Sequence, residues 1–494
     1  MSNIIHNILE QLTYHPGEPM LFSSGVFWVL FMFFIPVYAM LRNRLWQMIT
    51  FVVLFSFFFY YKSSGFFVIL LGCTSLIDWV LSHLLIRQEK KWKRKLCVWI
   101  SILCSLSVLG YFKYANFFLA NWHAIVGSNF SPLEIILPVG ISFYTFQSIS
   151  YIVDVYKGRL APTKTWLEYV FFLSFFPALV AGPIVRADYF LPQIRNSKHA
   201  TREQIYFGFW LIILGIVKKA IIADYISQYN DMIFVVDPVT GPAYSGFETF
   251  IGIIGYMMQI YCDFSGYSDM AIGIALIMGF KLALNFNFPY KSGNLTEFWR
   301  RWHISLSSWL RDYVYIPLGG NRKGKVRTYI NNFITMLVGG LWHGAAWKFV
   351  FWGALHGGGL AVHKASKGWL EKRSWTSSKI MNIVFWIITI SFLYITFVVF
   401  RADSVSDAWI LIKHSVTDFD INYLAPFASV RWLWLILVGV IIAAHAMPEN
   451  FWNKVGDLFV RSSWVVKLLV FILVIQLLLE LRGEDVMPFI YFQF

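Results

Sequence analysis

The sequence predicts an all-α polytopic membrane protein. Three observations support this fold class: 58% of the 494 residues are hydrophobic, only 14% are charged, and apolar runs recur along the whole chain. Soluble proteins carry about 25% charged residues. A helix that spans a bilayer needs about 20 mostly apolar residues, and we therefore expect about 11–12 transmembrane or re-entrant helices.

The candidate membrane segments follow one another at short intervals. In chain order they are 21–41, 46–61, 65–86, 97–112, 135–153, 166–183, 205–223, 246–280, 329–362, 380–400, 431–446 and 463–480. No internal repeat separates them, so we treat residues 20–486 as one membrane domain with its catalytic core at about 136–364. Residues 1–19 are polar and mixed, lack the pattern of a cleavable signal peptide, and form an N-terminal extension without an assigned role.

The basic loops predict the orientation of these segments. The net charge is +14, which would suggest nucleic-acid binding in a soluble protein but here indicates basic cytoplasmic loops. The loop "RQEKKWKRK" (87–95) has six basic residues, and 321–327 and 363–373 are also basic. The loop 224–246 has three aspartates and neither Lys nor Arg. We therefore place 224–246 outside, the final basic loop inside, and the C-terminus outside.

We predict that the four cysteines are free thiols packed in the core. They are Cys73, Cys97, Cys104 and Cys262, and all lie in or beside apolar segments. Their spacing indicates neither a metal site nor a disulfide framework. We accordingly predict no metal ligands in this chain.

The apolar segments between residues 136 and 344 are richer in polar residues than those before them. Polar residues enter apolar segments, as in "PVGISFYTFQSISYIVDVYKG" and "YCDFSGYSDMAIGIALIMGF". Buried polar groups are costly in lipid, so this density predicts a protein-lined central tunnel. The glycines and prolines from Pro138 to Pro183 predict broken or re-entrant helices. The stretch 293–327 combines many charges with aromatic residues, which favours an interfacial amphipathic helix.

Three histidines in or beside apolar segments are candidates for acid–base chemistry. His303 lies in "RRWHISL", and His343 and His356 lie in "GGLWHGAAWKFVFWGALHGGGL". A single intramembrane histidine is often a hydrogen-bonded structural residue, and we expect that role for His356. The small neighbours of His343 let a ligand or another backbone approach closely. An imidazole also suits the activation of a hydroxyl near neutral pH.

The paired histidine blocks resemble the membrane-bound O-acyltransferase family. The residues that carry the resemblance are "FWRRWHISLSSWLRDYVYIPLGG" and "LWHGAAWKFVFWGALHG". The opening 20–38, "PVGISFYTFQSISYIVDVY" and the C-terminal "PFIYFQF" resemble the bacterial branch that contains the alginate O-acetyltransferase membrane subunit. The resemblance covers nearly all of the chain after about residue 20 and implies acyl transfer across the membrane from a cytosolic thioester.

The resemblance implies roles for two of the histidines. His343 matches the invariant family histidine and would be the general base. His303 matches a second family position, often Asn or His, and would be either its companion or a carbonyl polariser. Asp263 and Asp269 either line the tunnel or are buried partners of nearby hydroxyls.

A thioester of coenzyme A carries phosphates that a basic patch would hold. We expect acetyl-CoA as the donor substrate and no permanently bound cofactor. The candidate phosphate-binding residues are Arg300, Arg301, Arg311, Arg322 and Lys323, with Lys325 and Arg327 nearby. The positive-inside rule explains most of these charges without a ligand.

The tail 487–494, "MPFIYFQF", contains one hydroxyl, that of Tyr491. At the outer mouth of a tunnel this phenol would accept the acyl group as an ester and pass it to an extracytoplasmic acceptor. The alternative is an aromatic anchor at the membrane boundary. Related D-alanylation systems carry a similar tail on a separate small protein.

The leading prediction is an O-acetyltransferase of the bacterial inner membrane that serves a cell-envelope or extracellular polysaccharide. Because the chain has no large soluble domain, we expect an extracytoplasmic SGNH-like acetyltransferase as partner, and no nucleic acid. Membrane lipid surrounds the chain. Two alternatives remain open: D-alanyl or other acyl transfer from a carrier protein, and a transporter or flippase for a lipid-linked sugar.

Overall fold

A computed structural model describes residues 6, 10–15, 19–196 and 199–481. The described chain is almost entirely helical, as the composition predicts. Up to residue 216 the α-helices are α1 Gly25–Leu41, α2 Leu45–Ser64, α3 Val68–Arg87, α4 Lys91–Leu109, α5 Ala115–Val126, α6 Ile141–Tyr156, α7 Trp166–Ser174, α8 Phe176–Leu179, α9 Ala187–Asn196 and α10 Arg202–Ile216.

The second half of the chain continues in the same way. Its α-helices are α11 Asp224–Ile233, α12 Gly246–Ile277, α13 Leu295–Arg301, α14 Ile304–Leu310, α15 Lys325–His343, α16 Trp347–Leu370, α17 Lys379–Arg401, α18 Val405–Thr417, α19 Leu424–Ala446, α20 Glu449–Arg461 and α21 Trp464–Leu481. Short 3₁₀ turns occupy Gly65–Phe67, Pro289–Lys291, Ser374–Ser377 and Ile421–Tyr423, and π-helical turns occupy Gly110–Tyr114, Val217–Ala223 and Arg311–Tyr315. Two antiparallel strands, β1 Val236–Asp237 and β2 Gly241–Pro242, pair within the predicted outer loop.

Six stretches of the described chain are long and apolar enough to cross a membrane. They are Leu45–Arg87, Lys91–Val126, Arg202–Ile233, Lys379–Arg401, Ile421–Ala446 and Trp464–Leu481, and Gly25–Leu41 is a shorter apolar helix. These stretches and the helical content confirm the all-α polytopic membrane fold. The central tunnel stays a prediction.

The chain forms two compact units. The first comprises Met1–Ile212 and Tyr267–Ala283, and the second comprises Ile213–Gly266 and Leu284–Phe494. In the first unit, aromatic rings fill the space between helices: the ring centroids of Phe34 and Phe55 are 4.4 Å apart, and those of Phe55 and Phe176 are 4.9 Å apart. Such tilted ring pairs add to the stabilisation that burial gives.

Helices of the first unit break where the sequence predicts. Gly140, with φ +75°, precedes α6, and a Cβ atom there would lie 2.5 Å from the carbonyl oxygen of Leu179. Only glycine fits this left-handed, closely packed position. Phe175 separates α7 from α8, and Pro177 stands in the first turn of α8. Proline is tolerated there because the first turn needs no donor.

The first unit also buries a carboxylate, that of Asp78 on α3. Ser101 of α4 donates to its Oδ1 at 2.5 Å, and Ser148 of α6 and Tyr169 of α7 donate to its Oδ2. The hydroxyl oxygens of Ser105 on α4 and Ser148 on α6 are 3.1 Å apart. The Asp78 cluster, formed by Asp78 and these hydroxyls, thus connects four helices through hydrogen bonds.

In the second unit, the buried carboxylate of Asp263 has a cationic partner. Its carboxylate lies 2.6 Å from Nζ of Lys219, which also contacts Asp224 at 2.7 Å. Lys219 stands in the π-helical turn Val217–Ala223 and is 1% exposed. A buried charge of this kind requires such partners. The sequence alone did not show which cation would meet Asp263.

The predicted segment 329–362 forms two helices, because α15 ends at His343 and α16 begins at Trp347. Glycines allow the two helices to pack closely. A Cβ atom on Gly340 would lie 2.2 Å from the carbonyl oxygen of Phe349, and one on Gly353 would lie 2.5 Å from that of Met336. Small residues at membrane helix contacts have this role generally.

The predicted amphipathic stretch 293–327 is divided into shorter pieces. Helix α13 ends at Arg301, α14 begins at Ile304, and the π-helical turn Arg311–Tyr315 follows. Several apolar side chains of this stretch, among them Phe298, Trp302 and Leu306, are buried, while its arginines lie nearer the surface. The break between α13 and α14 places His303 inside the unit.

Candidate active site

His343 is the last residue of α15, directly before the turn to α16. The turn consists of three small residues, Gly344 to Ala346, and the backbone of Gly344 and of Ala346 is extended. A Cβ atom on Gly344 would lie 2.0 Å from the ring of Phe349. Glycine is therefore required beside His343 because the Phe349 ring packs against its backbone; approach of a ligand stays a prediction. His343 is buried, with 4% of its surface exposed.

Three histidines and three tryptophans alternate around this turn and form the histidine–tryptophan cluster of the second unit. The ring centroids of His303 and Trp342 are 5.7 Å apart, and those of Trp342 and His343 are 5.0 Å apart. The structure therefore brings both predicted catalytic histidines onto one indole ring.

The cluster continues along one face of α16. Trp352 lies 5.1 Å from His343 and 4.5 Å from His356, measured between ring centroids. Trp299 of α13 lies 5.2 Å from His356, and Phe400 of α17 lies 5.2 Å from His343. These aromatic walls surround His343 with low-dielectric material, in which charge interactions are strong.

The backbone of His303 is in the left-handed region, with φ +43° and ψ +55°. A non-glycine residue rarely adopts this conformation, and the cost is typically about 1–3 kcal/mol. Asn285 stabilises the turn: its backbone oxygen accepts from the N–H of Ile304 at 2.9 Å. A strained residue that surrounding contacts hold in place is frequent at functional sites.

The same asparagine determines the proton arrangement on His303. Asn285 Oδ1 accepts from the backbone N–H of Ser305 at 3.3 Å and from its hydroxyl at 2.9 Å. A backbone N–H is only a donor, so this side-chain atom is the amide oxygen. Nδ1 of His303, 3.1 Å from that oxygen, must therefore donate, and Nε2 carries a lone pair.

Burial keeps His303 neutral. Desolvation lowers the pKa of its imidazole to about 3, because a dry environment disfavours the charged form. A neutral imidazole with its proton on Nδ1 accepts a hydrogen bond at Nε2 and cannot donate one there. Of the two roles that the resemblance left open, this geometry favours the companion over the carbonyl polariser.

The indole of Trp352 is the residue that the sequence analysis missed. Its Nε1–H is buried and, among the described residues, has no hydrogen-bond partner. Buried indole N–H groups usually find an acceptor, so this donor is available to a bound group beside His343. The sequence signal is the i, i+4 spacing of Trp352 and His356, which places both on one helical face.

His356 makes the kind of contact expected of a structural histidine. It is 1% exposed, and its Nδ1 accepts from the indole N–H of Trp299 at 3.3 Å. This bond ties α16 to α13. Its packing role stays a prediction.

The predicted phosphate-binding residues are not alike in their surroundings. Arg301 pairs with Glu297 at 3.0 Å and with Glu449 at 2.9 Å, and Arg311 pairs with Asp312 at 2.7 Å. The other three, Arg300, Arg322 and Lys323, are exposed. The carboxylate partners make the two paired arginines weaker candidates for an anionic ligand.

Two other predicted residues have different outcomes. Tyr491, the predicted acyl carrier, lies outside the described residues. Asp269 is part-buried on α12 in the first unit, so its place in a tunnel stays a prediction.

The fold and the histidine–tryptophan cluster define a class: a polytopic membrane enzyme with buried imidazoles. The family model of the membrane-bound O-acyltransferases (MBOAT) matches residues 98–400. The chain belongs to this family, and it is a membrane-bound O-acyltransferase. The transporter alternative is accordingly set aside.

Similar proteins include O-acetylating enzymes. The chain is 35% identical to a probable alginate O-acetylase of Pseudomonas putida over 96% of this chain and 100% of that protein. It is 39% identical to a peptidoglycan O-acetyltransferase of Helicobacter pylori over 67% and 66% of the two chains. It is 30% identical to a teichoic acid D-alanyltransferase of Bacillus subtilis over 54% and 70%.

Proposed function

We propose that this protein transfers acetyl groups from cytosolic acetyl-CoA, across the bacterial inner membrane, to an exported cell-envelope or extracellular polysaccharide. The similarity to alginate and peptidoglycan O-acetylating enzymes supports the acetyl group and the polymer class. The observation that carries the mechanism is the position of His343 in a buried cluster next to the indole donor of Trp352.

His343 is the general base of the first transfer. Its imidazole takes the proton of the acceptor hydroxyl as the hydroxyl oxygen forms a bond to the thioester carbonyl carbon. The carbon–sulfur bond then breaks, and the leaving thiolate takes that proton, which gives an ester and coenzyme A. A base that acts in this way contributes about 10²–10⁴ in rate.

Two neighbours assist this step. The indole N–H of Trp352 donates a hydrogen bond to the carbonyl oxygen as negative charge develops there. His303, with its lone pair on Nε2, accepts from the donor or acceptor group and holds it beside His343. Arg300, Arg322 and Lys323 bind the phosphates of the donor on the cytoplasmic side.

Tyr491 is the first acceptor. The C-terminal tail lies on the extracytoplasmic side, its phenol receives the acetyl group as an ester, and an SGNH-like partner passes that group to a sugar hydroxyl. The proton of the sugar hydroxyl returns to the phenolate, so the tyrosine is regenerated.

The test uses purified full-length protein, acetyl-CoA and no polymer, followed by mass spectrometry of the C-terminal peptide. We expect one acetyl group on Tyr491, its loss in His343→Ala, and loss of polymer acetylation in Tyr491→Phe. Phe keeps the ring and removes only the hydroxyl, so a tail that serves only as an anchor would be unaffected. Full polymer acetylation by Tyr491→Phe would exclude the tyrosine carrier.

A second candidate is D-alanyl transfer from a carrier protein, which the similarity to the Bacillus subtilis enzyme supports. That similarity covers a smaller part of this chain than the similarity to the Pseudomonas putida enzyme. Supplying the purified protein with acetyl-CoA and with a D-alanyl carrier protein in parallel distinguishes the two donors.

A further inference from the structure

A long groove runs along one side of α16 in the second unit. Its volume is about 890 Å³, and its walls come from α16, α17 and the start of α13. Phe351 and Leu355 of α16 face Phe385 and Phe392 of α17 across it. An apolar groove of this size on a membrane protein is large enough to hold a chain-like hydrophobic ligand.

Polarity changes along the groove. The lining residues of α16 from Phe351 to Val362 are apolar or glycine, whereas those from His363 to Glu371 are polar or charged apart from Leu370. At about 1.5 Å per residue the apolar part is about 17 Å long. This length is close to the hydrocarbon thickness of one leaflet, about half of 30 Å.

Two glycines of the groove wall, Gly293 and Gly358, have open space at the Cβ position among the residues that the structure describes. A Cβ atom on Gly357 would meet Phe333, and one on Gly359 would meet Leu295 and Phe392. A Cβ atom on Gly358 would meet nothing within 4 Å, and Gly358 lines the groove. Glycine is unfavourable inside a helix. A ligand that packs against the bare backbone explains its presence.

The polar end of the groove lies in a basic segment, and its own charged lining residues are Lys367 and Glu371. Lys367 lines it, and its Nζ lies 3.5 Å from Glu371 with both side chains more than half exposed, which makes a weak ion pair. The segment 363–373 holds four basic residues, Lys364, Lys367, Lys372 and Arg373, against the single acidic Glu371. A basic segment beside the groove mouth suits an anionic headgroup.

We propose that this groove binds one acyl chain of an anionic glycerophospholipid, with the phosphate at Lys367. The acetyl group of the proposed reaction has two carbons and does not need a groove of this length. The site therefore goes beyond the proposed function and does not depend on it.

The position of the groove links this lipid to the active site. Asn294 and Leu295 line the groove and begin α13, the helix that leads directly to His303. His363 at the mouth is 2.9 Å from the hydroxyl of Thr296 on the same helix. A bound lipid thus supports the helix that positions His303, and we expect acyl transfer to increase with anionic lipid content.

The test is native mass spectrometry of full-length protein in nanodiscs of phosphatidylcholine that contain phosphatidylglycerol. We expect the unaltered protein to retain one phosphatidylglycerol and Gly358→Phe, which fills the groove, to lose it. Lys367→Gln should lower the preference for phosphatidylglycerol over phosphatidylcholine about fivefold. The matched control is Gly368→Phe on the same helix, where a Cβ atom also meets nothing within 4 Å but the residue does not line the groove.

Equal retention of phosphatidylglycerol by the unaltered protein and Gly358→Phe would overturn the proposal. Displacement of the lipid by added acetyl-CoA would also overturn it, because the groove would then belong to the donor. If Gly358→Phe does not fold, Gly358→Leu and Lys367→Gln provide the same comparison. Lipid retention is measured without acyl transfer, so failure of the proposed function leaves this result interpretable.

Discussion

The two units each bury a polar cluster, and the clusters differ in how completely their hydrogen bonds are satisfied. In the first unit, the Asp78 carboxylate accepts from Ser101, Ser148 and Tyr169. Both of its oxygens have donors. Buried polar groups that are fully paired contribute to a specific fold and leave nothing for a ligand.

The histidine–tryptophan cluster of the second unit is built differently. The indole N–H of Trp352 lacks a partner among the described residues, and His303 is held in the left-handed region. Unsatisfied donors and strained backbone both raise the energy of the folded state, and such features persist at functional sites. The difference teaches that a charged or polar residue within the membrane is not by itself an indication of catalysis.

His343→Ala should produce the largest effect on activity. Removal of the proposed general base should lower acyl transfer by about 10²–10⁴-fold, while the protein stays folded in the membrane because alanine leaves a cavity but no unpaired charge. The measurement is labelled acetyl transfer from acetyl-CoA per amount of folded protein. Activity near that of the unaltered protein would contradict the assignment of the base.

Trp352→Phe tests the unpaired donor. Loss of the indole N–H should lower kcat by about 10²-fold, the lower end of the range for one donor to a developing oxyanion, with little change in KM. Incorporation of 3-benzothienylalanine at position 352 provides the matched control, since it keeps the ring shape and removes the N–H. If this isostere has full activity, Trp352 serves packing alone and the comparison between the clusters fails.

Substitutions of His303 test whether its imidazole carries the proton on Nδ1 and the lone pair on Nε2. His303→Asn should retain more activity than His303→Ala, by about tenfold, because an amide oxygen can replace the accepting Nε2 while alanine cannot. An equal loss in both variants would show that the lone pair on Nε2 is not used.

The pKa of His303 gives a second measurement on the same residue. The pKa is about 3 in the folded protein and about 6.5 in the unfolded chain, so the stability from burying the neutral ring is complete above pH 6.5. It is lost as the pH falls from 6.5 towards 3, because the unfolded state then binds a proton. We expect His303→Asn to flatten this part of the stability profile in thermal unfolding.

Asp78→Asn should have the smallest effect on activity. The amide cannot accept all the hydroxyl donors, so the free energy of unfolding should fall by about 1–3 kcal/mol. Activity per folded molecule should stay within about twofold of the unaltered protein, since the hydrogen bonds of the Asp78 carboxylate are all to side chains of its own cluster. A large loss of activity without a loss of stability would assign a catalytic role to the first unit as well.

Several features could be predicted from the sequence because they depend on composition and local pattern. Apolar runs of sufficient length predicted membrane helices. The breaks at Gly140 and Pro177 followed from backbone restrictions that act within one or two residues. His303 and His343 were identified as a pair from the motifs around them, and the structure places both on Trp342.

Other features needed the tertiary structure, because they join residues that are far apart in the chain. The partner of Asp263 is Lys219, 44 positions away by their numbers, and no local pattern indicates it. The proton on Nδ1 of His303 depends on Asn285, which comes from another segment. The unpaired N–H of Trp352 and the open space beside Gly358 are visible only after every neighbour has been placed. Sequence pattern thus determined where the apolar helices of this protein lie, whereas hydrogen bonding and packing between distant segments decided which buried polar groups have partners in the described structure.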